Sequence, residues 1–342
     1  MDRITVLTLI AVLISFILTP FMKKIAFYVK ALDVPKDKRK IHKKPIPLLG
    51  GVAIYLSFLI TLLLKSGSLH KSEKGLLIGA TIIVIGGLID DLKDIKPCIK
   101  LLFQLAAAVS LVAFDINIIR ITNPLPTSRA FLDLGWLSIP ITIFWVVGIT
   151  NALNLIDGLD GLAAGVSFIC SVTIFIIAAL NGRHEAALLT AVLSGAIFGF
   201  LPYNFNPASI FMGDTGSQLL GFLLAAISLE GTIKSATAFA IAVPILAFGL
   251  PIYDTMFAMI RRKVNGKPIM QADRGHLHHR LLDMGLTQRQ VVIIMYLISA
   301  VLGGISIIAM QISSTRAYFL LTVVIIIITF AAWKYGFFKK RD

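Results

Sequence analysis

The strongest constraint on this chain is the recurrence, from end to end, of apolar runs long enough to cross the ~30 Å hydrocarbon core of a bilayer. In lipid every backbone N–H and C=O must be satisfied within the spanning structure, so such runs fold as helices. Eleven spans are expected, at about 3–29, 49–65, 74–90, 99–114, 136–150, 161–180, 186–201, 217–232, 237–260, 290–311 and 317–335. The predicted class is an all-α polytopic membrane protein, with residues 1–342 forming one integral membrane domain. Composition agrees, because 15% of the residues are charged where soluble domains have roughly 25%. The first run, from Ile4 to Met22, has no small-residue cleavage site and leads into a basic loop, so a retained helix is expected and not a signal peptide.

The net charge of +14 does not read as a nucleic-acid footprint, since the lysines and arginines are interspersed between apolar spans. Their distribution sets topology instead. Placing segments 23–48, 91–100, 151–160, 202–216, 261–289 and 334–342 on one side gathers 23 of the 32 basic residues there, which marks that side as cytoplasm. The amino terminus is then expected outside and the carboxyl terminus, with Lys339, Lys340 and Arg341, inside. Cys98 and Cys170 offer neither a disulfide framework nor zinc spacing.

This orientation puts Asp90, Asp91, Asp94, Asp157, Asp160, Asp214, Asp273, His42, His276, His278 and His279 on the cytoplasmic side. Polar groups at the ends of apolar spans are costly, so clusters sharing one membrane face point to a functional site, with solvated loops as the competing explanation. Asp90-Asp91 closes the third span after Gly86-Gly87, and adjacent carboxylates require a cation or a proton. Asn151, Asn154 and Asp157 recur every third residue ahead of Asp160-Gly161. They suit a nucleobase edge or ribose hydroxyls, or else a turn between spans five and six. Asp214, after Phe211-Met212-Gly213, suits Mg²⁺, which takes one or two carboxylates plus phosphate oxygens and water. Thr215 and Ser217 also read as caps of a helix starting at Ser217. The loop over 261–289 carries Asp273-Arg274-Gly275-His276-Leu277-His278-His279-Arg280, for which diphosphate contact and zinc are alternatives, without a nearby cysteine for the latter. Lys38 to Lys44 suit the anionic headgroups of membrane lipids. Pro45 to Gly51 fixes a stiff turn ahead of two glycines, where a helix packs or a ligand approaches.

With these motifs in order along nearly the whole chain, the sequence resembles the polyprenyl-phosphate N-acetylhexosamine-1-phosphate transferases. The resemblance rests on Pro45 to Gly51, Asp90-Asp91, Asn151 to Gly161, Phe211 to Ser217 and His276 to His279. It implies that a polyprenyl phosphate attacks the β-phosphorus of a UDP-N-acetylhexosamine, giving a polyprenyl-diphosphate sugar and UMP. It implies Mg²⁺ as cofactor, with Mn²⁺ as a substitute, and a multi-pass plasma-membrane location; a homodimer is compatible with it. By position it implies Asp90 as general base, Asp91 beside it in metal or lipid support, and Asp214 as the catalytic Mg²⁺ ligand. It also implies a nucleotide site of Asn154, Asp157, Asp160 and Phe211, with Lys100, Arg274, His276, His278 and His279 toward the phosphates and sugar. A phosphate monoester is already largely ionised at pH 7, so positioning of the nucleophile or metal is the alternative role for Asp90.

His-x-His-His after Asp273-Arg274-Gly275 resembles the branch using UDP-N-acetylglucosamine, the muramoyl-pentapeptide branch being the alternative. Leu48 departs from the arginine that many teichoic-acid relatives carry at that position. A transporter is the rival from another class, and it would place acids near the bilayer midplane. Asp254 is the one acid expected well inside a span.

Overall fold

The structure, a computed structural model, describes residues 2–35, 44–65, 67–123, 131–230, 242–266, 268, 275–312 and 314–334. It is a helical bundle, and seven of its described helices are long and apolar enough to cross a membrane. The chain is an all-α, multi-pass membrane protein. Helix α1 spans Arg3–Val29, α2 Gly50–Leu63, α3 Lys71–Lys93, α4 Pro97–Ala113 and α5 Ser138–Ile156. Then come α6 Leu162–Leu180, α7 His184–Asn204, α8 Gly213–Ser228, α9 Ala242–Ala247 and α10 Gly249–Val264. A short α11, Leu277–Asp283, precedes α12, Gln288–Gln311, and α13, Ser314–Lys334.

Local chemistry explains several boundaries. Glu73 closes a capping box at the start of α3, accepting from the His70 amide at 2.9 Å while pairing with Lys65 beyond the end of α2. Thr287 and Gln290 form the same device at the start of α12. Pro97 at the first position of α4 has no N–H to leave unmet. Two small antiparallel pairs close the loops: β1, Leu32–Asp33, with β2, Ile46–Pro47, and β3, Arg120–Thr122, with β4, Phe131–Asp133.

Helix α8 is the axis of the bundle. Each of its residues except Asp214 is buried, and α2, α3, α5, α6 and α7 pack around it. A helix buried on all sides belongs in such a centre, its polar side chains matched by neighbouring helices. Helix α1 lies along α7, α12 along α6, and α13 against α12 and α9. Their outer faces show Leu13, Ile17, Leu297, Phe319, Ile326 and Trp333, as lipid-facing helices should.

Each expected span overlaps a described helix, but seven described helices, against eleven expected spans, are long and apolar enough to cross, and four further features differ from expectation. Helix α5 runs on to Ile156, so Asn151 and Asn154 are helical and not part of a loop. Helix α8 begins at Gly213 instead of Ser217. The ninth expected span is broken at Phe248–Gly249 into α9 and α10, with residues 231–241 outside the described set. The histidine motif lies partly on a helix, α11.

Candidate active site

The site is built at the end of the bundle where α3 and α5 finish and α4 and α8 begin. Gly87 lies so close to Thr215 that a methyl group there would overlap the Thr215 backbone, which lets α3 and α8 touch. One turn later Asp91 reaches the start of α8. Its Oδ1 accepts from the Asp214 amide at 2.7 Å, and its Oδ2 accepts from the Thr215 hydroxyl at 2.6 Å and the Thr215 amide at 3.2 Å. Asp91 therefore caps α8 from another helix. This is why α8 starts four residues earlier than the local sequence indicates, and it occupies amides that a phosphate would otherwise attract.

The Pro45-to-Gly51 segment docks on the other side of this helix start. Phe211 N donates to Pro47 O at 2.8 Å, Gly50 N to Phe211 O at 2.9 Å and Gly51 N to Met212 O at 2.9 Å. A Cβ at Gly51 would collide with the backbone of Gly216. Of the two readings of these glycines, helix packing is the one seen.

Between these anchors the charged groups meet. Asp90, buried, accepts from the Ile95 amide at 3.0 Å through Oδ1 and pairs with the Lys100 ammonium through Oδ2. Lys100 Nζ also donates to Asp214 Oδ2 at 2.8 Å. The other oxygen of Asp214 accepts from Asn154 Nδ2 at 2.5 Å, and the same amide group reaches Ser217 Oγ at 2.8 Å. One turn deeper, Gln104, Asn151 and Gln218 form an amide chain. Among the described residues no three His, Cys, Asp or Glu side chains group as a metal cage. Asp90 and Asp214 do converge on one cation, Lys100, so the donor set is oxygen-rich and anionic.

The turn after α5 supplies Asp157 and Asp160. Burial, reinforced by the carboxylates of Asp214, Asp91 and Asp160, pushes the Asp157 carboxyl up to about 8. Asp160 uses one oxygen, Oδ2, to accept from Asn206 Nδ2 at 3.1 Å and from the Ala208 amide at 2.9 Å. It shapes the turn between α7 and α8, which Arg289 steadies by donating to Asn206 O at 2.9 Å. Gly158 lies directly against the His278 ring, where any side chain would collide.

The histidines are held from α10. Asp254 Oδ2 meets His276 Nδ1 at 2.8 Å and Asp254 Oδ1 accepts the Leu277 amide at 2.7 Å, pinning α11. The acid expected inside a span thus holds this motif in place. His278 is 1% exposed, and neither ring nitrogen has a hydrogen-bond partner among the described residues. Burial, with His279 and His276 nearby, drives it down to about 3, so it is neutral at physiological pH. It stacks 5.8 Å from His276 and lies 4.2 Å from the tilted ring of His279.

Of the expected site residues, Asp90, Asp91, Lys100, Asn154 and Asp214 meet directly, Asp157 joins them electrostatically, and His278 joins through Gly158. Phe211 is fixed by its backbone. Arg274, with Asp273, His42 and Lys38 to Lys43, lies outside the described residues. Sequence reasoning missed Gln104, Gln218 and the tie from Asn154 to Ser217. The available signal was spacing, since both glutamines follow a charged site residue by four.

A family model described as Glycosyl transferase family 4 matches residues 74–232. A probable undecaprenyl-phosphate N-acetylglucosaminyl 1-phosphate transferase of Bacillus subtilis strain 168 is 41% identical over 330 residues, 96% of this chain and 90% of the relative. A decaprenyl-phosphate N-acetylglucosaminephosphotransferase of Mycobacterium leprae is 34% identical, covering 84% of this chain and 79% of the relative. A phospho-N-acetylmuramoyl-pentapeptide-transferase of Clostridioides difficile is 33% identical, covering 88% and 94%.

Proposed function

Since the chain belongs to glycosyl transferase family 4, we propose that it moves N-acetylglucosamine 1-phosphate from UDP-N-acetylglucosamine to a polyprenyl phosphate, undecaprenyl phosphate by kinship. The observation that carries this reading is the convergence of Asp90 and Asp214, from separate helices, on Lys100 beside the Asp157 turn. The site faces the cytoplasm of the plasma membrane, following the distribution of basic residues along the chain. The product is the first lipid-linked sugar of a cell-envelope glycopolymer.

In the reaction an oxygen of the lipid phosphate forms a bond to the β-phosphorus. The bond from that phosphorus to the oxygen bridging the two phosphates breaks, and UMP leaves with the electron pair. Such transfers need positioning and charge neutralisation more than covalent help. Lys100 offers one positive charge at the phosphates, and Asp90 orients it. Asn154 fixes the carboxylate of Asp214, and Asp91 fixes the Asp214 backbone. His278, buried against Gly158 with unmatched nitrogens, stays neutral and adds no charge beside the turn that carries Asp157.

The anionic donor set fits Mg²⁺, with Asp214 as its ligand, and Mn²⁺ as a substitute. Asp91, the expected second ligand, serves by holding the amides of α8. When bound, the ion would supply positive charge to neutralise the diphosphate.

Purified protein supplied with Mg²⁺ and undecaprenyl phosphate is expected to convert radiolabelled UDP-N-acetylglucosamine to a lipid-soluble product. It should leave UDP-N-acetylmuramoyl-pentapeptide untouched, and the reverse preference would overturn the donor. Chelation of divalent ions should abolish turnover, and re-addition of Mg²⁺ should restore it.

A further inference from the structure

Below the charged cluster lies a second polar layer, made of three uncharged amides carried by the same three helices. Lys100, Asn154 and Asp214 stand on α4, α5 and α8; one turn deeper these helices present Gln104, Asn151 and Gln218. Gln104 Nε2 donates to Gln218 Oε1 at 3.0 Å, and Asn151 Nδ2 donates to Gln104 Oε1 at 2.7 Å. Gln104 and Gln218 are 2% and 3% exposed, in the interior of the bundle. Asn151 has a second acceptor in Val147 O at 2.8 Å, so it is anchored to its own helix as well.

Residues four apart share one face of a helix. A hydrogen bond that fixes Gln104 against Gln218 therefore fixes the rotation of α4 and α8 about their axes. That rotation decides where Lys100 and Asp214 point one turn above. We infer that Gln104 and Gln218, with Asn151 tying in α5, are positioning residues that keep Lys100, Asn154 and Asp214 in register for phosphoryl transfer. The inference rests on the transferase reading given above.

Amides suit this duty. A charged pair one turn below Asp214 would compete with Lys100 for it and would titrate. An amide donates and accepts at once and keeps the same charge at every pH. Apolar side chains would fill the space equally well, but dispersion has no preferred angle, whereas a buried hydrogen bond does. The layer therefore adds angular definition to an interface that packing alone would hold together.

The test compares wild type with Gln104→Leu, Gln218→Leu and the double Gln104→Leu/Gln218→Leu protein in detergent. Three quantities are read: melting temperature, kcat and KM with UDP-N-acetylglucosamine and undecaprenyl phosphate, and reductive methylation of Lys100 scored by mass spectrometry. Each single variant is expected to melt lower and to lose at least tenfold in kcat, with the donor KM within about twofold. The double variant should regain part of the melting temperature, because neither glutamine is left facing an unmatched partner and Asn151 keeps Val147 O as an acceptor. Its kcat should nonetheless stay at least tenfold down and its Lys100 methylation at least threefold up. A double variant with wild-type kcat and wild-type Lys100 reactivity overturns the inference, as do single variants with unchanged kcat. If the single variants fail to fold, the double variant decides alone. If wild type turns over neither donor, the transferase reading falls by itself. Lys100 methylation then decides the register, raised labelling in the double variant supporting it and unchanged labelling overturning it.

Discussion

Asp214 has its two oxygens divided between Lys100 and Asn154, so its charge and its orientation are separable. Asp214→Asn keeps the size and removes the charge. Turnover should fall at least ~10²-fold while the melting temperature stays within a few degrees, and near-normal turnover in a folded variant would remove its proposed metal role. Asp157 is different, since no hydrogen bond or ion pair engages its carboxyl among the described residues. Asp157→Ala should raise the KM for the UDP-sugar about tenfold, equivalent to ~1.4 kcal/mol, with the KM for the lipid unchanged. An unchanged donor KM would count against a nucleotide role. His278 gives a pH dependence with a definite sign. Its folded value of about 3 lies below the ~6.5 of a free imidazole, so between those values the unfolded chain binds the extra proton. Stability from this group is therefore complete above pH 6.5 and is lost as the pH falls. Relative to His278→Met, wild type should lose about 2 kcal/mol between pH 7 and pH 5, read from denaturation in detergent at each pH.

At the scale of elements, the start of α8 is the joint on which the site turns. Asp91→Ala removes the acceptor for two amides and one hydroxyl, at a cost of about 1–3 kcal/mol for the groups left unmatched. Unlike Asp214→Asn it should lower the melting temperature and turnover together, and a variant that loses only turnover would refute the capping role. This joint also shows what sequence could reveal. The spans were legible because hydropathy is a local signal, and the acids were legible because they interrupt it. The start of α8 was not, because its cap lies 123 residues upstream. Asn151 and Asn154 read as loop residues, yet they are helical, since their amides find partners on α4 and α8 that no local window contains. Asp160 read as a nucleotide contact from its neighbours, and one of its oxygens, Oδ2, also holds the turn around Asn206 and Ala208, a tie no local window contains. The histidine motif was found by composition, whereas its support, Asp254, looked like an isolated acid in a span.

Over the whole molecule, the two cysteines offer a test of the orientation drawn from lysine and arginine counts. Cys98 is exposed in the first turn of α4, two residues before Lys100, while Cys170 is buried with its sulfur against Ala247 O at 3.1 Å. A membrane-impermeant maleimide should label Cys98 in inverted vesicles and leave it unlabelled in intact cells. The opposite result would invert the topology. The cap that Asp91 places on α8 has a further consequence for anything designed to block the pocket. With those amides occupied, a bare pyrophosphate mimic meets the carboxylates of Asp90 and Asp214 and, among the described residues there, a single ammonium, so it should compete feebly. A nucleoside analogue bearing its own protonated amine would bring the missing countercharge with it, and should inhibit without help from a divalent ion.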